Sequence, residues 1–393
     1  MDRVLSPEEH FLILLMEFDL TLAKREELIA SIKNTNNWQK IGKVAISNGL
    51  APLFYKNIQA LNLKEFIPAE LFQKFKNQYI QTLFKNTQRI KAFEVIIAAL
   101  NKKNIDFIPL KGIYLAPSLY QDLGLRPMCD IDFMVRTTDL EDCKSLLEDF
   151  GWKNTIIYKS EQIKNLNHSH TPYVFIKDGM MIELHQKLYE SGTSFNVPVD
   201  DLWARAVKQP YLNGVSYQLN FNDLLLHQIL HLYKHFILGQ LCLKSFVDIA
   251  SLIKHKGREI EIVALNKLIE KYQCKEEVLS IQGVLKQYFS TGMLFHENDT
   301  QDKLDADLIF FSILNGDQET VTNYINDKKI KFVSEESGLK KIHGLKHKIN
   351  YIISNVFPDK AFMYKRYKIN NQFQLLYFYP YRVLSLLKNK EKR

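Results

Sequence analysis

The chain has 393 residues, of which 46% are hydrophobic and 24% charged, a balance that is ordinary for a globular protein. Length and composition therefore exclude an intrinsically disordered chain and a small disulfide scaffold. The formal net charge of +8 favours an anionic partner such as a nucleotide, a nucleic acid or an acidic lipid.

The cysteines and the N-terminal sequence bear on the cellular setting. None of the four cysteines forms a CxxC pair, and their spacing indicates neither a zinc site nor a disulfide framework: Cys129, Cys143, Cys242 and Cys274. The first ten residues lack the basic-then-apolar order of a signal peptide, and charges interrupt every apolar stretch too soon for a transmembrane helix. We expect a reduced, cytoplasmic protein.

Residues 1–100 are predicted to form a helical region. Ser6 to Glu9 is typical of a helix start, with Ser6 as N-cap, proline in the first turn and Glu9 closing a capping box. A second helix is expected from Trp38 to Ile46. A third is expected from Pro68 through Leu83, and it continues, with a break, to Leu100.

The pattern changes in residues 101–200, where short apolar runs alternate with turn residues. Asp130 to Val135 alternates polar and apolar residues as a strand does, and the turn Asp178-Gly179 predicts a hairpin. The other expected strands are Asp106 to Leu110, Trp152 to Ser160, Thr171 to Lys177 and Met180 to His185. With helices at Ile113 to Tyr120 and Leu140 to Phe150, these strands predict an α+β or α/β core. Residues 201–393 then form a mainly helical C-terminal domain, beginning with a helix from Asn222 to His235.

Two aspartates on the expected strand are candidate metal ligands. Asp130 and Asp132 share one face because side chains alternate along a strand, while Ile131 and Phe133 face the core. Glu183 has the matching phase on a later strand. Two adjacent carboxylates repel one another unless a cation lies between them, and oxygen ligands suit Mg²⁺. The three carboxylates predict a site for two metal ions.

A candidate phosphate-binding turn lies upstream. Lys111 and Gly112 follow a strand and precede a helix, where glycine allows close backbone approach and lysine supplies a positive charge. Arg126 can contact phosphate, brace the carboxylates or form a structural ion pair. Each residue alone has a structural explanation, but their order along the chain favours a nucleotide site.

The segment IPLKGIYLAPSLYQDLGLRPMCDIDFMV resembles the uncharacterised bacterial nucleotidyltransferase family of the DNA polymerase β-like superfamily. The matching positions are Lys111, Gly112, Tyr120, Arg126, Asp130, Asp132, Gly151 and Trp152. The later segment Ile182-Glu183-Leu184-His185 is similar to the family's Glu-hydrophobic-His strand. The resemblance implies an α+β fold, with a nucleotidyltransferase-type mixed sheet flanked by an N-terminal helical region and a C-terminal helical domain.

The resemblance also implies a reaction. A metal-dependent enzyme would move a nucleoside monophosphate from a nucleoside triphosphate to an acceptor that is a small molecule, an RNA or a protein. Asp130, Asp132 and Glu183 would hold Mg²⁺ or Mn²⁺, and Lys111, Gly112 and Arg126 would bind the nucleotide. The turn departs from the superfamily pattern, since Lys111-Gly112 stands where Gly-Gly or Gly-Ser is usual.

Further residues have two interpretations each. His227, His231 and His235 recur every four residues on one helix. Either two of them form a zinc site with His185, or with His168 and His170, or one or two of them, His231 among these, contact the nucleotide or the acceptor. Lys244 either approaches phosphate or pairs with Asp248 at the surface. The basic, aromatic segment 359–393 either binds RNA or a membrane surface, or packs on the body.

Three functions follow from these patterns. The first is the nucleotidyltransferase, which needs the three carboxylates. The second is an inactive nucleotide-binding or scaffold protein with the same fold, which the unusual turn favours. The third is a metal-dependent hydrolase that uses the histidines.

Overall fold

The computed structural model describes residues 5–17, 20–156, 171–189, 195–238, 242–289, 291, 310–317, 319–320, 323, 363 and 372–388. The predicted ligands His168 and His170 and the predicted strand end at 157–160 lie outside these residues. About half of the basic segment 359–393 also lies outside them.

The described part of the N-terminal region, residues 5–17 and 20–102, contains five α-helices. They are α1 (Pro7–Leu15), α2 (Arg25–Lys33), α3 (Trp38–Ser47), α4 (Ala51–Ala60) and α5 (Ala69–Lys102). The capping box at the start of α1 is present, since the Glu9 amide donates to Ser6 Oγ and the Ser6 amide donates to Glu9. The expected break within the third helix is wrong, because α5 runs unbroken for 34 residues.

A mixed sheet follows, with five strands among the residues that the structure describes. Its strands are β1 (Phe107–Pro109), β2 (Ile131–Val135), β3 (Lys153–Asn154), β4 (Tyr173–Lys177) and β5 (Met180–His185), in the spatial order β1-β2-β5-β4-β3. Only β2 and β5 are parallel; the other neighbouring pairs are antiparallel. The hairpin predicted at Asp178-Gly179 joins β4 to β5, and both turn residues have positive φ.

Two helices accompany the sheet. The short helix α6 (Lys111–Leu115) follows β1 directly and continues into a π-helical turn at Ala116–Tyr120. Helix α7 (Leu140–Asp149) follows β2. Because β1 leads straight into α6, the Lys111-Gly112 turn lies at one end of the sheet beside β2.

The C-terminal region contains a hairpin as well as helices. Its elements are α8 (Val199–Arg205), β6 (Val207–Tyr211), β7 (Gly214–Gln218), α9 (Phe221–Leu238), α10 (Leu243–Lys256), α11 (Ile262–Tyr272), α12 (Lys275–Tyr288), helical residues 310–315 and α13 (Leu375–Lys388). The hairpin β6–β7 was not expected from the sequence. Asn220 caps α9 by accepting a hydrogen bond from the Asp223 amide.

One continuous hydrophobic core connects the N-terminal helices, the sheet and helices α9 to α12. Between α5 and the sheet, the ring of Phe93 contacts Phe107, Phe133 and Tyr211. The fold is therefore the predicted α+β type with a mixed sheet inside a helical protein. The division into 1–100, 101–200 and 201–393 stays a prediction. None of the described helices is long and apolar enough to cross a membrane.

Candidate active site

The parallel pair β2 and β5 fixes the relative position of two candidate ligands. In its register Asp132 stands directly opposite Glu183. The flanking apolar residues Ile131, Phe133, Ile182 and Leu184 are all fully buried on the other face. Because that face is committed to the core, the two carboxylates must lie side by side on the opposite face.

Asp132 lies at the centre of a charged cluster. It is fully buried, and its Oδ1 accepts hydrogen bonds from Lys111 Nζ at 2.7 Å and from His185 Nε2 at 2.8 Å. Burial acts to raise the pKa of Asp132, but the charge of Lys111 and the bond from His185 hold it far below its usual range. The other oxygen, Oδ2, has no hydrogen-bond partner among the described residues.

Lys111 bridges the two strands. Its ammonium lies 3.5 Å from Glu183 Oε2 as well as 2.7 Å from Asp132 Oδ1. Its backbone has φ of 48°, in the left-handed region that side-chain-bearing residues rarely adopt. The preceding Leu110 amide donates to the Asp132 carbonyl at 2.9 Å and so anchors the turn to β2. Burial acts to lower the pKa of Lys111, yet the charges of Asp132 and Glu183 outweigh it and raise that pKa.

The strand was predicted to begin at Asp130, but β2 begins at Ile131, so Asp130 lies one residue before the strand. Burial raises the pKa of Asp130 to about 7, and the charge of Asp132 acts in the same direction. Two neighbouring carboxylates resist ionising together. This repulsion, expected from the sequence spacing, is therefore present at the site.

His185 was predicted only as a possible partner of the α9 histidines in a zinc site, and it lies instead beside Asp132 and Glu183. Its Nε2 lies 2.8 Å from Asp132 and 3.5 Å from Glu183, while its Nδ1 lies 3.1 Å from Thr171 Oγ1. One ligand atom each from Asp132, Glu183 and His185 lies within 4.8 Å of the others, a spacing that can hold a metal ion. Residues 183 and 185 are two apart on one strand and so share a face, and this spacing could have placed His185 beside Glu183.

Arg126 and Gly112 pack against each other beside this cluster. Arg126 is buried and donates from Nε and Nη2 to the two carboxylate oxygens of Asp248, at 2.8 and 2.7 Å. Tyr120 also donates to Asp248 Oδ1, at 2.7 Å. A Cβ on Gly112 would lie 2.7 Å from Arg126 Nη1, so any other residue here would force a neighbouring side chain to shift. The ion-pair interpretation of Arg126 is confirmed, whereas its contact with phosphate stays a prediction.

Lys244 does not form the surface pair with Asp248 that was one interpretation of their spacing. Its ammonium donates to the Pro127 carbonyl at 3.0 Å, while Asp248 is buried against Arg126. The surface-pair interpretation is therefore wrong, because the i, i+4 spacing could not reveal that this face of α10 is buried. Lys244 holds the loop that precedes Asp130, and its contact with a nucleotide stays a prediction.

The histidines of α9 lie within electrostatic reach of the cluster. Burial lowers the pKa of His227 to about 3, and the charge of Lys111 lowers it further. The pKa of His231 is lowered well below its usual range by the same two causes. Among the described residues, the spacing that could hold a metal occurs at Asp132, Glu183 and His185 and not among the α9 histidines. A nucleotide contact by His231 stays a prediction.

Comparison with known families agrees with this geometry. The family model described as "Uncharacterised nucleotidyltransferase" matches residues 34–290, more than half of the chain, and these residues include the sheet and the charged cluster. No curated protein matches the chain, and no solved structure matches it. The extent of the family match shows that this chain belongs to the uncharacterised nucleotidyltransferase family.

Proposed function

We propose that this protein is a metal-dependent nucleotidyltransferase, which moves a nucleoside monophosphate from a nucleoside triphosphate to an acceptor. The observation that carries the proposal is the parallel register of Asp132 and Glu183, which places two carboxylates together beside a buried lysine. Family membership supports the reaction class. The acceptor belongs to one of three chemical classes: a small molecule, an RNA or a protein.

The residues present fit a divalent cation. The unpartnered, buried Oδ2 of Asp132 is costly for the folded protein unless a cation or another donor approaches it. Asp130 adds a second carboxylate whose ionisation a cation would favour. Carboxylate oxygens suit Mg²⁺ and Mn²⁺, and an imidazole ligand such as His185 suits Mn²⁺ better than Mg²⁺. A bound cation would neutralise charge on the phosphates and favour the ionised acceptor hydroxyl.

The roles of the protein's own groups follow from their positions. In the proposed two-metal reaction, Asp130 and Asp132 would hold both cations, and Glu183 would complete one of the two sites and accept the proton of the acceptor hydroxyl. The acceptor oxygen forms a bond to the α-phosphorus, and the bond from that phosphorus to the bridging oxygen breaks, so that pyrophosphate leaves. Lys111 would meet the negative charge of the phosphates.

The remaining predicted nucleotide contacts complete the proposal. Arg126 Nη1, which Asp248 does not engage, lies against Gly112 and would reach a phosphate there. Lys244 and His231 would contact other parts of the nucleotide. A reduced, cytoplasmic setting is part of the same proposal, because all four cysteines are free thiols.

One observation favours the second candidate function, an inactive nucleotide-binding or scaffold protein. The Lys111 ammonium lies between Asp132 and Glu183, where an enzyme of this type needs its cation. A permanent ion pair there would leave the fold intact and the chemistry absent.

Labelled nucleotides distinguish the two functions. Purified protein is incubated with each of the four nucleoside triphosphates, labelled at the α-phosphate, together with Mn²⁺ or Mg²⁺ and cell extract. The proposal predicts a labelled acceptor with the wild-type protein and roughly a hundredfold less label, or lower still, with the Glu183→Gln variant. Binding of a nucleotide without any transferred label, under every combination, would favour the inactive protein.

A further inference from the structure

The Lys111 ammonium occupies the position in which a cation would bridge the two strands. We propose that Lys111 is an internal cation that competes with the divalent ion for Asp132 and Glu183, and that metal loading moves it toward the nucleotide phosphates. This inference rests on the cation site of the proposed function. It adds an order of events in which the lysine gives up its carboxylate partners before it meets phosphate.

An ion cannot bridge Asp132 Oδ1 and Glu183 Oε2 while the Lys111 ammonium holds these two oxygens. Lys111 Nζ lies 2.7 Å from Asp132 Oδ1 and 3.5 Å from Glu183 Oε2, and both carboxylates belong to the group whose ligand atoms lie within 4.8 Å. A divalent ion would require oxygens at about 2.1 Å. An ion that contacted both oxygens would lie within the space of the ammonium group and would repel its charge.

The surroundings of Lys111 allow it to leave. Its side chain is 22% exposed, whereas that of Asp132 is fully buried, so part of the lysine borders solvent while its carboxylate partner does not. Its backbone conformation, with positive φ, is held by the anchored Leu110 amide and by Gly112 packed on Arg126. A strained conformation persists where the surrounding structure requires it. Because the turn is fixed, displacement of the ammonium requires only rotation about the side-chain bonds of Lys111.

Competition has a thermodynamic consequence. If metal and ammonium share one site, removal of the ammonium must raise the affinity for metal. Phosphate that draws Lys111 away must do the same, because coupling between two ligands is reciprocal. A lysine that only stabilised the fold would have neither effect.

Manganese binding tests the inference directly. The dissociation constant of Mn²⁺ is measured by calorimetry, in the absence of nucleotide, for the wild-type protein and for Lys111→Met. The matched control is Lys144→Met, which removes the same charge from α7, where Lys144 pairs with Glu148 away from the cluster. We expect the dissociation constant to fall at least about tenfold in Lys111→Met and to change little in the control.

The outcomes separate this inference from the proposed function. Equal affinities in the wild-type protein and Lys111→Met would overturn competition and leave the cation site standing. Failure of both proteins to bind Mn²⁺ at millimolar concentration would overturn the cation site and, with it, the inference. Tighter binding in Lys111→Met and in the control alike would show a general effect of charge and would also overturn competition.

A measurement on the wild-type protein covers the case in which Lys111→Met does not fold. Reductive methylation of lysines is followed by mass spectrometry with and without saturating Mn²⁺. Lys111 should be methylated faster when the metal is bound, because its ammonium has left the carboxylates, while the rate at Lys144 should not change. An unchanged rate at Lys111 with Mn²⁺ bound would overturn the inference.

Discussion

Replacing Asp132 with asparagine should destabilise the metal-free protein, although the change preserves the shape of the side chain. Asp132 is fully buried and accepts hydrogen bonds from Lys111 and His185. Hydrogen bonds to a charged group contribute about 1.5–3 kcal/mol each. Asparagine retains one acceptor oxygen, and Lys111 retains Glu183 at 3.5 Å. The free energy of unfolding should therefore fall by roughly 2–4 kcal/mol, less than the sum for two lost bonds.

Asp130→Asn is the matched comparison. Burial and the charge of Asp132 raise the pKa of Asp130 to about 7 from the ordinary 3.8, so the folded protein disfavours the ionised form. The variant should be as stable as the wild-type protein or more stable, by no more than about 2 kcal/mol. A raised carboxyl pKa lowers stability as the pH rises, so the advantage should be absent below pH 3.8 and grow up to about pH 7.

Urea unfolding in the presence of EDTA measures both effects. The expected result is a lower midpoint for Asp132→Asn and an equal or higher midpoint for Asp130→Asn. The opposite order of midpoints, or an equal fall of the midpoint in both variants, would refute two assignments. These are Asp132 as the carboxylate paired with Lys111 and His185, and Asp130 as the carboxylate whose ionised form is disfavoured.

Three further predictions concern the surroundings of the site. Gly112→Ala should lower the free energy of unfolding by about 1–3 kcal/mol, because the new Cβ would lie 2.7 Å from Arg126 Nη1. Urea unfolding measures this effect, and a variant as stable as the wild-type protein would contradict the close packing. Asp248→Ala should lower the free energy of unfolding by roughly 3–5 kcal/mol, because the buried guanidinium of Arg126 loses its partner. A loss below about 1 kcal/mol would contradict the role of Asp248 as that partner. Glu183→Gln should retain wild-type stability within about 1 kcal/mol but lose transfer by a factor of roughly a hundred or more; an active variant would exclude Glu183 as base or ligand.

The sheet was predictable because its signals are local. Alternation from Asp130 to Val135 and the Asp178-Gly179 turn each depend on a few neighbouring residues, and both are present within one residue of expectation. The phase of Glu183 on its strand then required only a pairing with β2, which the parallel register provides. The helix start at Ser6 is equally local and is confirmed.

Long-range partners were not predictable. Asp248 lies more than a hundred residues from Arg126, so no spacing rule joins them, and the i, i+4 relation to Lys244 pointed to the wrong partner. The hairpin β6–β7 was missed because its residues carry weak alternation, and most of β6 is exposed. The position of Lys111 between the two carboxylates depends on the fold as a whole, since β1 must lie beside β2 before the lysine reaches them.

We propose above that the paired strands β2 and β5 hold a divalent cation at Asp132 and Glu183. The most direct measurement is an anomalous diffraction map of crystals soaked in Mn²⁺. We expect a manganese peak about 2.1 Å from carboxylate oxygens of both residues, with Lys111 Nζ displaced from the position it takes between them without metal. A peak among the α9 histidines instead, or no peak at saturating Mn²⁺ with Lys111 still bridging the carboxylates, would contradict it.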